Sequence, residues 1–232
     1  MANSNLELLK LAATLLGPLL DELVFVGGCA TGLLITDKGA GDVRPTFDVD
    51  AIAEITSYAE YTAFGERLHK LGFTEDASED APICRWQHGE IKLDLMPLDE
   101  KILGFSNRWY KSAMDSSQDY EIERGIRIRV VTAPYFCATK LEAFRGRGNG
   151  DYLASHDLED LVTVVDGRPE LLDELRSASE DVRSYIRSAT AQMLKAPQFL
   201  DALPGYLLPD SASQARIRQL LAKLTQMSEL LA

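Results

Sequence analysis

The apolar run Leu23-Val24-Phe25-Val26 stops abruptly at Gly27-Gly28, and this junction constrains the fold more than any other stretch of the chain. A short, β-branched, uninterrupted apolar run suits a strand buried on both faces. Two glycines directly after it allow a turn that side chains would block. From Cys29 to Ile35 the pattern resumes as a short helix, and Lys38 to Pro45, rich in glycine, follows as a loop. Residues 47–55 then alternate as a second strand, and residues 58–71 form an amphipathic helix closed by Gly72. An amphipathic helix from about Leu6 to Leu20 precedes the whole unit. Strand, turn, helix and strand in such close succession exclude an all-helical or an all-β chain.

Two further hairpin signals lie downstream. Short strands within 83–95 flank His88-Gly89, and residues 120–123 and 127–131 flank Gly125. Beyond Thr132 the texture becomes helical, with Pro134 suited to a first helical turn and periodic segments at 134–147, 155–166, 170–194 and 212–231. The expected fold is α+β: a mixed sheet with flanking helices over residues 1–132, then a helical C-terminal region over 133–232. With 232 residues, 46% of them hydrophobic, the chain can bury a core without disulfides or structural metal.

Composition removes several classes of function. Cys29, Cys84 and Cys137 are odd in number, widely spaced and set among apolar residues, so they are expected as small core residues. The three histidines, His69, His88 and His156, include no pair at i, i+4, which argues against a histidine zinc site. Any metal is therefore expected on carboxylates. No window is apolar enough to span a membrane, and MANSNLELLK lacks the basic-then-apolar pattern of a secretory leader, so the expected location is the cytoplasm. Lys and Arg number 24 against 36 Asp and Glu, a net charge of −12, which speaks against gripping nucleic acid as the main task. The cationic residues nevertheless cluster at Arg124, Arg127, Arg129, Lys140, Arg145 and Arg147, either as a local basic patch or as ordinary solvated faces.

The chemistry concentrates in Arg44-Pro45-Thr46-Phe47-Asp48-Val49-Asp50. Alternation along a strand aims Asp48 and Asp50 at one face with Cα atoms about 7 Å apart. Asp94, flanked by Leu93 and Leu95, would add a third carboxylate if its strand paired with that of Asp48. Such a cluster suits Mg²⁺, which takes oxygen ligands and bridges phosphates; two ions about 3.5–4 Å apart can serve both the attacking and the leaving oxygen. The competing reading is the polar face of an edge strand. Gly27-Gly28 is likewise either a phosphate cradle at a helix N-terminus or a tight turn.

Farther along, Lys140 falls within the apolar stripe Phe136, Cys137, Leu141 and Phe144 of its helix, where a cation needs a partner. That partner is a triphosphate, or else the stem packs and the ammonium reaches water. Asp157 and Asp160 share a face near a helix start, with Ser155 competing for the cap and His156 left at the surface. The loop of residues 104–110 either stacks on a base or ribose or, the favoured reading, is anchored to the core by Phe105 and Trp109, and Arg85-Trp86 is read as packing with a cationic edge in preference to a recognition device.

Taken in order, Phe25-Val26-Gly27-Gly28, the Arg44 to Asp50 segment, Leu93-Asp94-Leu95-Met96-Pro97, Ala138-Thr139-Lys140 and Ser155 to Leu161 resemble the nucleotidyltransferases of the DNA polymerase beta superfamily, and within them the AbiEii/AbiGii-type toxins. The likeness spans about residues 20–165. It implies a polymerase-beta-like core and transfer of a nucleoside monophosphate from an NTP to an acceptor hydroxyl, with release of pyrophosphate. It further implies Mg²⁺, or Mn²⁺ in its place, on Asp48, Asp50 and Asp94, with Asp94 also helping to deprotonate the acceptor. Lys140 and Asp157 would join the catalytic set. Gly27, Gly28, Arg44, Thr46, Lys140 and Asp160 would bind the nucleotide. The acceptor implied is RNA, tRNA in some members, within a toxin system that carries a neutralising antitoxin protein. A small-molecule or protein acceptor, and a catalytically silent nucleotide-binding module, are the alternatives. The Thr36 to Gly41 stretch makes the Gly28–Asp48 connection longer than in minimal members.

Overall fold

The computed structural model describes residues 4–148 and 150–230 and divides into two compact units. One comprises residues 1–32 and 44–132, the other 33–43 and 133–232.

In the first unit, α1 (Ser4–Leu16) runs into a 3₁₀ turn (Gly17–Glu22) and then β1 (Leu23–Val26). The helix ends four residues earlier than its periodicity suggests because Gly17 takes a positive φ of 47° and Pro18 cannot donate a backbone N–H. From α1, Leu9, Ala12, Ala13 and Leu16 face the sheet. After β1 come α2 (Gly27–Leu34), β2 (Val49–Ala53), α3 (Tyr58–Lys70), β3 (Thr74–Glu75), β4 (Arg85–His88) and β5 (Ile91–Met96). Two short helices, α4 (Glu100–Leu103) and α5 (Tyr110–Asp115), lead to β6 (Gln118–Glu123) and β7 (Ile126–Val130).

The seven strands form one mixed sheet in the order β3-β4-β5-β2-β1-β7-β6. β1 pairs antiparallel with β2 and parallel with β7, while β2 pairs parallel with β5. The central strands β1, β2 and β5 are almost wholly buried, as their continuous apolar character requires. Helix α3 opens with a capping box in which Ser57 and Glu60 satisfy each other's backbone N–H groups. It lies against β4 at Gly65, where a Cβ would stand 2.9 Å from the Trp86 ring.

The second unit holds α6 (Ala133–Arg147), α7 (His156–Gly167), α8 (Leu171–Ser177), α9 (Glu180–Leu194), α10 (Pro197–Ala202), a 3₁₀ turn (Leu203–Tyr206), α11 (Ser211–Ala215) and α12 (Ile217–Ser228). The expected helix over 170–194 is in fact two, separated at Ala178 and Ser179, both in extended backbone. Serines flank this break, and their side chains compete with the helical backbone for its hydrogen bonds. The 212–231 helix likewise divides at Arg216, and Asp210 caps its first piece by accepting from the N–H groups of Ala212 and Ser213. Residue 231 lies outside the described residues.

Residues 33–43 belong to this unit although they precede α6 in the chain. The Gly167 carbonyl accepts from the N–H groups of Thr36 and Asp37. Arg216 clamps the segment by pairing with Asp37 at 2.7 Å and Asp166 at 2.8 Å. The fold class is thus the expected α+β, a mixed sheet with flanking helices followed by helices alone.

Candidate active site

The first unit gathers its chemistry along one row of the sheet. Val26 opposes Asp50, Asp50 opposes Asp94, and Asp94 opposes Arg85, so four side chains from β1, β2, β5 and β4 line one face. Paired residues on neighbouring strands point to the same side. The parallel β2–β5 pairing is what brings Asp50 beside Asp94, 44 positions apart in the chain. Asp48 stands just before β2 and joins the row by alternation.

Asp50 lies against the Gly-Gly turn. Gly27 has φ +73°, and a Cβ placed on it would stand 1.9 Å from Asp50 Oδ2. The carboxylate therefore occupies space that exists only because residue 27 is glycine. Gly27-Gly28 opens α2, so Asp50 sits beside the positive end of a helix.

The expected three-carboxylate cage is interrupted by a residue assigned only to packing. Arg85 donates from Nε to Asp94 Oδ1 at 2.7 Å, and from Nη2 to Asp94 Oδ2 at 2.8 Å and to Asp48 Oδ2 at 2.7 Å. Asp94, only 5% exposed, thus has both oxygens engaged by a fork that matches a carboxylate. Hydrogen bonding to Asp94, then the charges of Asp94 and Asp48, raise the Arg85 pKa further above its ordinary value. Among the described residues no group of three or more His, Cys, Asp or Glu is arranged to hold a metal. The physical reason is local: a guanidinium fills the gap between Asp48 and Asp94, and Asp50 is turned to the glycine turn. The donor chemistry suits a hard divalent cation, since Asp48, Asp50 and Asp94 stand on one face of the sheet, but the arrangement does not: Arg85 occupies the space between Asp48 and Asp94, and Asp50 turns to Gly27.

A second contributor without a sequence signal of its own is Asn5 on α1, which is 1% exposed. Its amide donates to the Arg44 carbonyl at 2.9 Å and to the Gly28 carbonyl at 3.4 Å, and its Oδ1 accepts from the Thr46 N–H at 3.0 Å. One side chain thereby ties the glycine turn to the strand entry. Thr46 in turn donates to Asp48 Oδ1 at 2.7 Å, fixing the carboxylate from the side opposite Arg85. Arg44 donates from Nη1 to the Pro45 carbonyl.

In the second unit, the remaining expected residues form their own buried cluster. Lys140, 7% exposed, donates to Asp160 Oδ2 at 2.6 Å and to Asp157 Oδ1 at 3.3 Å. Arg147 grips Asp157 bidentately at 3.0 and 2.9 Å. The lysine on the apolar stripe thus has carboxylate partners, and its ammonium does not snorkel to water. Ser155 is the cap of α7, accepting from the Leu158 N–H at 3.3 Å, which leaves Asp157 to the cations. His156 is exposed and meets Glu159 at 3.2 Å.

Burial pushes the Asp157 carboxyl up, but the Arg147 hydrogen bonds and the charges of Lys140 and Arg147 outweigh it and hold the group below the ordinary carboxylate value. A folded-state pKa below the unfolded one contributes stability that is complete above the unfolded value and lost as pH falls through the folded value. The unfolding free energy of the wild type should therefore decline below about pH 4, and Asp157→Asn should flatten that decline. Acid titrations by circular dichroism check this; equal slopes for the two proteins would disprove the coupling.

Two smaller expectations resolve differently. Trp109 is buried as expected of an anchor, whereas Phe105 is 41% exposed. All three cysteines are buried, and burial pushes Cys84 and Cys137 up to about 12, which disfavours their thiolates. Among the described residues no helix is long and apolar enough to cross a membrane.

No protein-family model matches the chain, and no curated protein matches its sequence. Among solved structures, JHP933 from Helicobacter pylori is similar at 15% identity and a TM-score of 0.49, over 99% of this chain and 92% of that one. A "putative nucleotidyltransferase from H. pylori" is similar at 14% identity and a TM-score of 0.49, over 99% and 95%.

Proposed function

We propose that the chain is a nucleotidyltransferase that moves a nucleoside monophosphate from an NTP to an acceptor hydroxyl. The observation that carries the reading is the row of Asp50 and Asp94 in register, with Asp48 beside them and Gly27 pressed against Asp50. Acidic side chains next to bare backbone at a helix start suit a polyphosphate that arrives with its cation. The ordered motifs resembling the polymerase beta superfamily support the same reaction.

Asp48, Asp50 and Asp94 would hold Mg²⁺, or Mn²⁺, which supplies charge neutralisation of the triphosphate and activation of the acceptor oxygen. The chain's own groups have separable tasks. Backbone N–H groups at Gly27-Gly28 would meet phosphate oxygens. Arg85 neutralises Asp48 and Asp94 beforehand and must let go of them for the site to fill. Asn5 and Thr46 hold the turn and Asp48 in place. In the second unit, Lys140, Asp157 and Asp160 remain our assignment for nucleotide contact, with the carboxylates setting the lysine until a phosphate competes for it.

RNA, tRNA first, is the acceptor we assign, and a toxin neutralised by a partner protein is the cellular role suggested by the AbiEii/AbiGii resemblance. The net charge of −12 favours a second reading, a small-molecule or protein acceptor.

Transfer from each α-³²P-labelled NTP to total RNA tests the reaction. The double variant Asp48→Asn, Asp50→Asn should lose roughly 10²–10³-fold or more in rate, the cost of removing groups aimed at developing charge. Unchanged labelling and unchanged Mg²⁺ dependence in the variant would refute the proposal. Arg85→Met should tighten Mn²⁺ binding by about 10–100-fold, the equivalent of the charge-assisted hydrogen bonds removed. Titration calorimetry measures it, and an unaltered affinity would show that the guanidinium does not compete with metal.

A further inference from the structure

A cavity of about 380 Å³ opens within the helical unit and belongs to none of the residues assigned above. Small-molecule sites span about 300–1,000 Å³. Phe144 from α6, Tyr152 from the following loop and Tyr185 from α9 supply aromatic wall, and Leu141 and Met193 are its buried apolar part. Ser188 and Gln192, on the same face of α9 as Tyr185 by i+3 and i+7 spacing, add a hydroxyl and an amide, and Arg145 adds an exposed cation.

The aromatic wall is held in place by its surroundings. Tyr152 packs on Phe144 at 5.1 Å between centroids and on Phe199 at 5.9 Å. Its carbonyl accepts from the Tyr206 hydroxyl, and Asp151 Oδ1 accepts from the N–H groups of Leu153 and Ala154 at 2.9 and 3.0 Å.

We infer that this cavity is a nucleotide-binding site that takes the base among the three aromatic rings and the phosphates at Arg145, without metal. The chemistry selects the ligand. Aromatic faces stack on any planar base. A glutamine amide offers both a donor and an acceptor to the base edge, and a serine hydroxyl offers both as well. A guanidinium matches phosphate oxygens, and among the described residues no carboxylate lines the cavity to repel them. The choice of a nucleotide over other planar anions rests on the nucleotidyltransferase reading.

The test is titration of the full chain with ATP, GTP, CTP, UTP and the matching nucleosides in EDTA, followed by saturation-transfer NMR and calorimetry. At least one NTP should bind, and Ser188→Trp, which fills the cavity, should weaken it at least tenfold. Gln192→Leu, which keeps the volume and serves if the tryptophan disturbs folding, should weaken the preferred base selectively. Arg145→Ala should weaken the NTP but not its nucleoside. No binding in EDTA, or equal binding by Ser188→Trp and Gln192→Leu, overturns the inference. So does a trinucleotide with a free 3′-hydroxyl that outcompetes every NTP. Label transfer with cavity-independent binding would sink this site and keep the reaction. Cavity-dependent binding with no transfer to any acceptor would do the reverse.

Discussion

Lys140→Met is expected to lower the free energy of unfolding by about 3–5 kcal/mol, the usual loss when one member of a buried ion pair is removed. Methionine preserves the unbranched stem, so the loss isolates the ammonium, which also lies over the Phe136 ring at 5.7 Å. Asp160, 1% exposed, loses its 2.6 Å partner, while Asp157 keeps Arg147. A buried carboxylate that loses a cationic partner either neutralises or draws in water, and both cost stability. The double variant Lys140→Met, Asp160→Leu should recover most of the loss, because replacing a whole buried pair by apolar groups is often neutral. Urea unfolding of the four proteins measures the cycle. A single variant as stable as the wild type would mean that the cluster is solvated, and the assignment of Lys140 to nucleotide contact would then have to rest on activity alone.

Gly27→Ala should reduce nucleotidyl transfer by roughly 10²–10³-fold, comparable to loss of one group aimed at developing charge. A methyl at this position would stand 1.9 Å from Asp50 Oδ2, so the carboxylate, the turn or both must move. Alanine at φ +73° adds backbone strain of about 1–2 kcal/mol. Gly125→Ala separates the two effects: Gly125 has φ +83° with nothing within 4 Å of an added Cβ, so it brings strain without displacing a functional group. Gly125→Ala should lose stability and keep activity. Equal activity loss in both alanine variants would assign the effect to strain and remove Asp50 from the argument. This comparison also bears on the alternative of a silent module, in which neither variant changes any transfer.

Much of the architecture was legible because it depends on local pattern. The buried strand 23–26, the glycine turn after it, the hairpin about His88-Gly89 and the helix at 134–147 each follow from periodicity and turn chemistry. Failures came where short-range competition overrides periodicity. Gly17-Pro18 shortens the first helix, and serines around residue 178 divide another. Short segments such as β3 and α10 carry too few residues for a period to register.

The candidate site divides in the same way. Asp48 and Asp50 share a face by strand alternation, and the ordered motifs with Asp94, Lys140 and Asp157 are readable along the chain. Arg85 carries a local signal: in a hairpin turning at Gly89-Glu90, position 85 must face position 94. Asn5 had none, since a polar residue near the start of an amphipathic helix looks like any solvated position until the helix packs.

By itself, the sequence determined the element types, the α+β class and the residue types able to carry phosphate chemistry, because these depend on neighbours within a few positions. Only tertiary structure decided that Arg85 stands between Asp48 and Asp94, that Asp50 fills the space Gly27 leaves, and that Lys140 is held by Asp157 and Asp160. Each of these depends on which strands pair and which helices pack. Apart from the Arg85–Asp94 pairing, which the hairpin fixes locally, such juxtapositions are set by burial of the whole apolar surface.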